Sequence, residues 1–173
     1  IVLMTGMHTG TSPIRDNSEW GERGDVWSFK SMLDNPELEG QRPLPDSTVT
    51  VAQVLKNNGY KTGMVGKWGL GAPHTNSVPT KKGFDFFYGY NCQRIAHSYY
   101  PTHLWKNEDR EYLDNYLVEK KEHLDKGADI YNLDSYAKYN QNDYAPTLMH
   151  NEALNFIDEN KNEKFFLYYA SLI

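Results

Sequence analysis

Lys67 is the residue whose type and setting first suggest chemistry, because it stands among glycines in the run Gly66-Lys67-Trp68-Gly69. Glycines leave room beside an ammonium group, so an anion could sit there. The alternative is a lysine on the surface whose charge is simply solvated. Which of the two applies depends on the elements that place the lysine.

The segment before Lys67 predicts a helix followed by a short buried strand. Thr50 and Gln53 have the spacing of a capping box, in which two reciprocal hydrogen bonds start a helix. Gly59 suits the left-handed position that ends it. A strand is predicted over residues 61–65, so Lys67 lies just beyond its carboxyl end. Open parallel α/β sheets bind their ligands there, which favours the anion site.

A second helix–strand pair is predicted near the end of the sequence. Pro146 suits a first helical position. One apolar face follows at helical spacing, formed by Met149, Ala153, Phe156 and Ile157. Residues 165–172 are almost all apolar, the pattern of a strand covered on both faces. Two such pairs favour an α/β fold with mostly parallel strands.

The remaining segments are predicted as loops, a hairpin and one further core segment. Residues 18–47 lack a sustained period and predict a long surface loop, and residues 114–142 predict a polar insertion. The aromatic run at 83–89 is expected in the core. Residues 104–106 and 111–113 flank a polar turn and predict a hairpin.

Composition excludes several classes of protein. The 173 residues are 39% hydrophobic, which is typical of a folded domain. The net charge is −5 and no basic stripe occurs, which argues against a general nucleic-acid binder. No apolar run is long enough to predict a membrane span. The single cysteine, Cys92, excludes an internal disulfide framework.

Four separated stretches share their residues with one known family, in that family's order. Residues 3–6 read L-M-T-G, residues 59–71 read G-Y-K-T-G-M-V-G-K-W-G-L-G, and residues 93–105 contain Q-R-I-A-H-S-Y-Y-P and then L-W. The helix and strand at 147–171 form the fourth stretch. Together they resemble the sulfatase family, whose second signature is G-Y-x-T-x-x-x-G-K-W-H-L-G and whose first signature ends in L-L-T-G.

The resemblance implies an alkaline-phosphatase-like α/β sandwich with a mostly parallel central sheet. Residues 1–173 would be a fragment of its single N-terminal catalytic domain, truncated at both ends. The implied activity is hydrolysis of a sulfate ester, with a formylglycine nucleophile and a Ca²⁺ ion. The resemblance places the nucleophile just upstream of this chain and the calcium ligands outside it as well. Acids such as Asp85, Asp109 and Asp143 lack the spacing of a calcium site. The isolated chain is therefore expected to be inactive.

The resemblance also implies roles for two residues. Lys67 would bind the sulfate group, whose oxygens gain charge during transfer and are stabilised by a fixed ammonium. His97 would contact the sulfate or protonate the leaving oxygen, because a histidine pKa lies near the working pH. The alternative for His97 is a histidine packed among aromatic residues. Those residues, which could also stack on a sugar, are Tyr99, Tyr100 and Trp105.

Two places depart from the family's pattern. Gly69 stands where most members carry a histidine, so another histidine substitutes, the subfamily works differently, or activity is weaker. Thr11-Ser12-Pro13-Ile14-Arg15 imitates the Pro-x-Arg of the nucleophile motif, but it follows the T-G that should come after that motif. We assign Ser12 no catalytic role. The other histidines lack metal-ligand spacing and are expected on the surface or in loops: His8, His74, His103, His123 and His150.

The substrate is expected to be a sulfated carbohydrate or an aryl sulfate, and the protein is expected to be bacterial and either periplasmic or secreted. Two alternatives remain. One is a phosphoester hydrolase of the same superfamily, with a Ser or Thr nucleophile and paired metal ions. The other is a fragment that binds glycans without catalysis. The sequence does not determine the oligomeric state.

Overall fold

A five-stranded sheet forms the centre of the computed structural model, which describes residues 1–17, 19–118 and 124–172. Its strands are β1 (Lys61–Lys67), β2 (Phe86–Tyr90), β3 (His103–Lys106), β4 (Asp109–Tyr112) and β5 (Phe165–Ala170). Their order in the sheet is β4-β3-β2-β1-β5. β1 is parallel to β2 and β5, whereas β3 is antiparallel to β2 and β4. Four of these five strands therefore run in one direction.

The helices are α1 (Val2–Thr5), α2 (Phe29–Asp34), α3 (Val51–Asn57) and α4 (Ala145–Asn160). The predicted capping box is confirmed at the start of α3, where Thr50 and Gln53 make both reciprocal hydrogen bonds. Gly59 has the expected left-handed backbone, with a φ of 81°. Short 3₁₀ helices cover Gly21–Arg23, Pro36–Leu38, Pro79–Lys82, Ile95–His97 and Leu133–Tyr139.

Helices cover both faces of the sheet. Successive strand residues point to opposite sides, so each face presents apolar side chains to the helices packed on it. On one side, Val65 of β1 and Tyr88 of β2 belong to a buried cluster with Met149 of α4. On the other side, their neighbours in the strands form a second cluster with residues of α1 and α3: Met64, Phe87, Met4 and Ala52. The expected α/β sandwich is confirmed.

Gly66 shows why β1 needs glycine immediately before Lys67. Its φ is 114°, and a Cβ atom built there would lie 2.0 Å from the carbonyl oxygen of Ala170 in β5. No side chain fits at that distance, so the close approach of β1 and β5 requires a glycine. This contact fixes the backbone that carries Lys67.

Three details of the predicted elements are corrected. β1 continues to Lys67, so the lysine is the last residue of the strand rather than lying two residues beyond it. β5 is only half-buried, and Tyr169 is 40% exposed, because β5 lies at the edge of the described sheet. Ile157 of α4 is 38% exposed and lies off the buried face of that helix. The predicted hairpin is confirmed as β3 and β4.

The prediction of a surface loop over 18–47 is wrong for much of that segment. Ser28 caps α2 by accepting a hydrogen bond from the backbone N–H of Ser31, and Phe29 and Met32 are buried. Glu39 and Gln41 are also almost fully buried. An apolar pair at one helical spacing is too short to show a period in the sequence. Of the predicted polar insertion, residues 119–123 lie outside the described residues, and His123 with them.

No helix among the described residues combines the length and apolar character needed to cross a membrane.

Candidate anion-binding site

The two predicted site residues lie on one cavity beyond the carboxyl end of β1. The cavity has a volume of about 260 Å³, and Lys67 and His97 both line it. The other residues of its wall are Gln93, Ala96, Tyr99, Ser171 and Leu172. The residues whose roles came from separate motifs, 30 positions apart in the sequence, are thus brought together.

A larger cavity, of about 510 Å³, adjoins the first one at Lys67 and Gln93. Arg15 and Gly69 also line it. Nε of Arg15 donates a hydrogen bond to the carbonyl oxygen of Ser12 at 3.2 Å, which holds the arginine side chain beside the backbone of Ser12. Sequence reasoning missed Arg15 because its Pro-x-Arg was set aside as an imitation of the nucleophile motif.

Beyond the end of the sheet, backbone hydrogen bonds join the segments that form the walls of these cavities. The N–H of Trp68 donates to the carbonyl oxygen of Tyr90 at 2.9 Å, and the N–H of Gly69 donates to that of Asn91 at 3.3 Å. Nε2 of Gln93 donates to the carbonyl oxygen of Asn17. The chain after β1 and the chain after β2 therefore stay side by side.

Lys67 is half-buried, and its ammonium makes no hydrogen bond or ion pair with any residue of the described ranges. Its positive charge is therefore available to a ligand. His97 is exposed at the end of a 3₁₀ turn, where its backbone N–H donates to the carbonyl oxygen of Arg94 at 3.3 Å. An available cation beside an exposed imidazole can bind an anion and transfer a proton to it.

Gln41 is the side chain directed towards Gly69. A Cβ atom built on Gly69, whose φ is 73°, would lie 3.3 Å from Oε1 of Gln41. That oxygen is buried and has no hydrogen-bond partner among the described residues. The amide nitrogen of Gln41 donates to Glu19 at 2.9 Å. A glutamine therefore borders the space that a histidine at position 69 would enter.

A partly buried carboxyl group lies behind the site. Burial raises the pKa of Glu19 to about 7, although a hydrogen bond from Cys92 and the charge of Arg94 both act to lower it. Burial likewise raises the pKa of the Cys92 thiol, which lies 3.5 Å from Oε2 of Glu19. Cys92 is fully buried and is held as a thiol, so it is not placed to act as a nucleophile.

Other side chains that the sequence singled out differ in how far they are buried. Ser12 is buried and its hydroxyl donates to the carbonyl oxygen of Ile14 at 2.7 Å, which agrees with a structural role. Trp105 is buried and cannot stack on a sugar, whereas Tyr99 is 41% exposed at the cavity. The histidines that are exposed, as predicted, are His8, His74 and His150.

His103 was predicted on the surface or in a loop, and that prediction is wrong because it is the first residue of β3. Its side chain is 2% exposed, and Nε2 lies 3.0 Å from Oε2 of Glu39. The partner comes from the segment predicted as a loop, so no local pattern indicated the pair. The carboxylate satisfies a ring nitrogen that could not otherwise be buried without cost.

The described residues do not form a metal site. In the ranges 1–17, 19–118 and 124–172, no three His, Cys, Asp or Glu side chains come close enough to share an ion. Calcium needs six or more oxygen ligands, so this set does not fit it.

The chain is similar in sequence to known proteins. The model of the family described as Sulfatase matches residues 3–172. An arylsulfatase of Hemicentrotus pulcherrimus is 31% identical over 132 residues, which are 73% of this chain and 22% of that protein. The chain thus spans less than a quarter of the length of this curated relative.

Two solved structures are similar in fold. The yidJ protein of Bacteroides fragilis has a TM-score of 0.56 and 20% identity, over 98% of this chain and 31% of that one. A protein solved with its substrate D-glucosamine-2-N,6-O-disulfate has a TM-score of 0.54 and 18% identity, over 96% of this chain and 22% of that one.

Proposed function

Since the chain belongs to the sulfatase family, we propose that the protein that carries it hydrolyses sulfate esters. The observation that carries the proposal is the cavity at the carboxyl end of β1, which Lys67 and His97 line together. The family match favours a sulfate ester over the phosphate ester of the alternative reading.

Lys67 binds the sulfate group in this proposal. A sulfate ester is a tetrahedral anion, and negative charge grows on its oxygens and on the leaving oxygen during transfer. Lys67 is the last residue of a central strand, so the backbone that carries the ammonium is held in place before the charge develops. Preorganised charge of this kind lowers the barrier because nothing has to reorient.

His97 donates a proton to the leaving oxygen. The imidazole is exposed at the cavity wall, where a substrate can reach it. An alkoxide is a poor leaving group, and a positioned acid whose pKa lies near the working pH contributes typically about 10²–10⁴-fold to such a step. Arg15, on the adjoining cavity, adds a second positive charge for an anionic substrate.

The family implies a formylglycine nucleophile and a Ca²⁺ ion, but Cys92 and Ser12 do not fit the first role and the described carboxylates do not fit the second. Cys92 and Ser12 are buried and engaged in hydrogen bonds, and no cluster of oxygen ligands exists among the described residues. We therefore assign the nucleophile and the metal ligands to parts of the protein beyond the described residues.

A sulfated carbohydrate is the substrate that we propose. The similar fold solved with a disulfated glucosamine supports this class, and Tyr99 offers an exposed aromatic ring at the cavity. Periplasmic or secreted localisation, where sulfated glycans would be met, stays a prediction from the resemblance, as does a bacterial source.

The test is an assay of the full-length protein with 4-nitrophenyl sulfate, a sulfated glucosamine and 4-nitrophenyl phosphate. We expect turnover of at least one sulfate ester and a much lower kcat/KM for the phosphate. Faster phosphate hydrolysis would instead support the phosphoesterase alternative. Saturable binding of the sulfated sugar without turnover would support the glycan-binding alternative.

A further inference from the structure

Trp27 is far more exposed than a tryptophan usually is. Its residue is 63% exposed, whereas Trp68 and Trp105 are 6% and 4% exposed. A large apolar ring in contact with water costs free energy, so an exposed tryptophan marks a candidate binding surface. It directly precedes Ser28, which caps α2, so its backbone belongs to an ordered helix start.

Arg94 holds this ring in place. The guanidinium carbon lies 4.7 Å from the centre of the Trp27 ring and 5.2 Å from that of Phe29. One guanidinium nitrogen also donates a hydrogen bond to the carbonyl oxygen of Trp27. The indole is thus fixed by a cation–π contact and still has most of its surface open to solvent.

Arg94 of this pair is next to the candidate site along the chain. Arg94 follows Gln93, which lines both cavities at Lys67. The carbonyl oxygen of Arg94 accepts the backbone hydrogen bond of His97 within a single 3₁₀ turn. The backbone of Arg94 is therefore one residue away from the wall of the cavity.

We propose that Trp27 and Arg94 form a second subsite, which binds the sugar unit next to the sulfated one in an oligosaccharide. The C–H face of a pyranose packs on an indole ring, and the guanidinium attracts the sulfate or carboxylate groups of an anionic glycan. The subsite rests on the proposed function for its sulfate-binding neighbour. It selects oligosaccharides over small sulfate esters, which do not reach it.

The test compares a sulfated tetrasaccharide with a sulfated monosaccharide in the full-length protein. The dissociation constant of each is measured by calorimetry for wild type, Trp27→Ala, Trp27→Phe and the control Tyr131→Ala, which removes another exposed ring. Iodide quenching of tryptophan fluorescence reports directly on whether the tetrasaccharide covers Trp27. Melting temperatures check that all variants are folded.

We expect Trp27→Ala to weaken tetrasaccharide binding about tenfold and to leave monosaccharide binding within about twofold. Trp27→Phe keeps a flat ring and should recover part of the affinity, and Tyr131→Ala should match wild type. The tetrasaccharide should protect wild-type fluorescence from iodide, and this protection should disappear in Trp27→Phe.

Equal losses for the two sugars, or no protection by the tetrasaccharide, overturn the subsite. These readouts do not need turnover. If no sulfate ester is hydrolysed and Trp27-dependent protection is still seen, the proposed function fails and the subsite stands. If sulfate esters are hydrolysed and Trp27→Ala binds the tetrasaccharide normally, the proposed function stands and the subsite fails.

Discussion

Oε2 of Glu39 lies 3.0 Å from Nε2 of His103, although 64 positions separate the two residues. The same oxygen accepts a hydrogen bond from Arg110 at 2.8 Å, and Oε1 accepts one from Nε1 of Trp105 at 2.6 Å. Burial alone would raise the pKa of Glu39. The hydrogen bonds and charges of His103 and Arg110 outweigh burial and hold that pKa below its usual value. The carboxylate therefore ties the segment after α2 to the β3–β4 hairpin.

Replacing Glu39 by Gln should lower the free energy of unfolding by about 3 kcal/mol, because the buried Arg110 loses its counter-charge. The matched control is Glu37→Gln, which neutralises a carboxylate on a side chain that is 56% exposed and should cost less than about 1 kcal/mol. Urea denaturation measures both. Equal losses in the two variants would contradict a structural role for the buried carboxylate.

The same pair predicts a pH dependence. The pKa of Glu39 is lower in the folded protein than its ordinary 4.5, so its stabilising contribution is present above that pH. It is lost as the pH falls through the folded pKa. The difference in unfolding free energy between wild type and Glu39→Gln should therefore shrink under strongly acidic conditions.

Gly66→Ala should destabilise the protein much more than Gly59→Ala does. Both glycines have positive φ, so both variants carry backbone strain of about 1–2 kcal/mol. Only at Gly66 would the new Cβ atom also lie 2.0 Å from a carbonyl oxygen, whereas at Gly59 it meets nothing within 4 Å. Thermal unfolding of the two variants isolates the cost of separating β1 from β5. Similar melting temperatures would refute the close approach.

Lys67→Met should lower kcat/KM for a sulfate ester by about 10²–10³-fold, because a preorganised charge at the reacting group is lost. Thermal stability should hardly change, since the ammonium has no partner among the described residues. Lys61→Met is the matched control, because Lys61 begins the same strand at its opposite end. A comparable loss of activity in both variants would argue against a site at the carboxyl end of β1.

His97→Asn should remove one limb of the pH–rate profile as well as lowering kcat by about 10²-fold or more. The effect should be large for an alkyl sulfate, whose leaving oxygen needs a proton. It should be small for 4-nitrophenyl sulfate, whose leaving group is already stable as an anion. If the variant loses both substrates equally, His97 contacts the sulfate group and does not supply the proton.

Glu19→Gln should make the stability of the protein less dependent on pH. The pKa of Glu19 rises from 4.5 to about 7 on folding, so the folded state holds more protons than the unfolded state between these values. Stability conferred by the protonated carboxyl is therefore lost as the pH rises from about 4.5 to 7. Melting temperatures at pH 5 and pH 8 should diverge in wild type and converge in Glu19→Gln. An unchanged slope would show that another group titrates.

Local patterns in the sequence determined the elements around the site. The Thr50–Gln53 box started α3 because its hydrogen bonds join residues three apart. The run before Lys67 formed β1 as predicted, although the predicted strand ended two residues before the lysine that is the last residue of β1. The second signature and the histidine stretch indicated the family before any contact was known.

Contacts between distant residues were decided only by the tertiary structure. Neither the burial of His103 by Glu39 nor the stacking of Trp27 on Arg94, 67 positions away, follows from any local pattern. Arg15 joins the cavity of Lys67 in the same way. A sequence does not show whether a charged or aromatic side chain is exposed. Whether it is buried, paired or left open depends on which partners the packed strands and helices bring beside it.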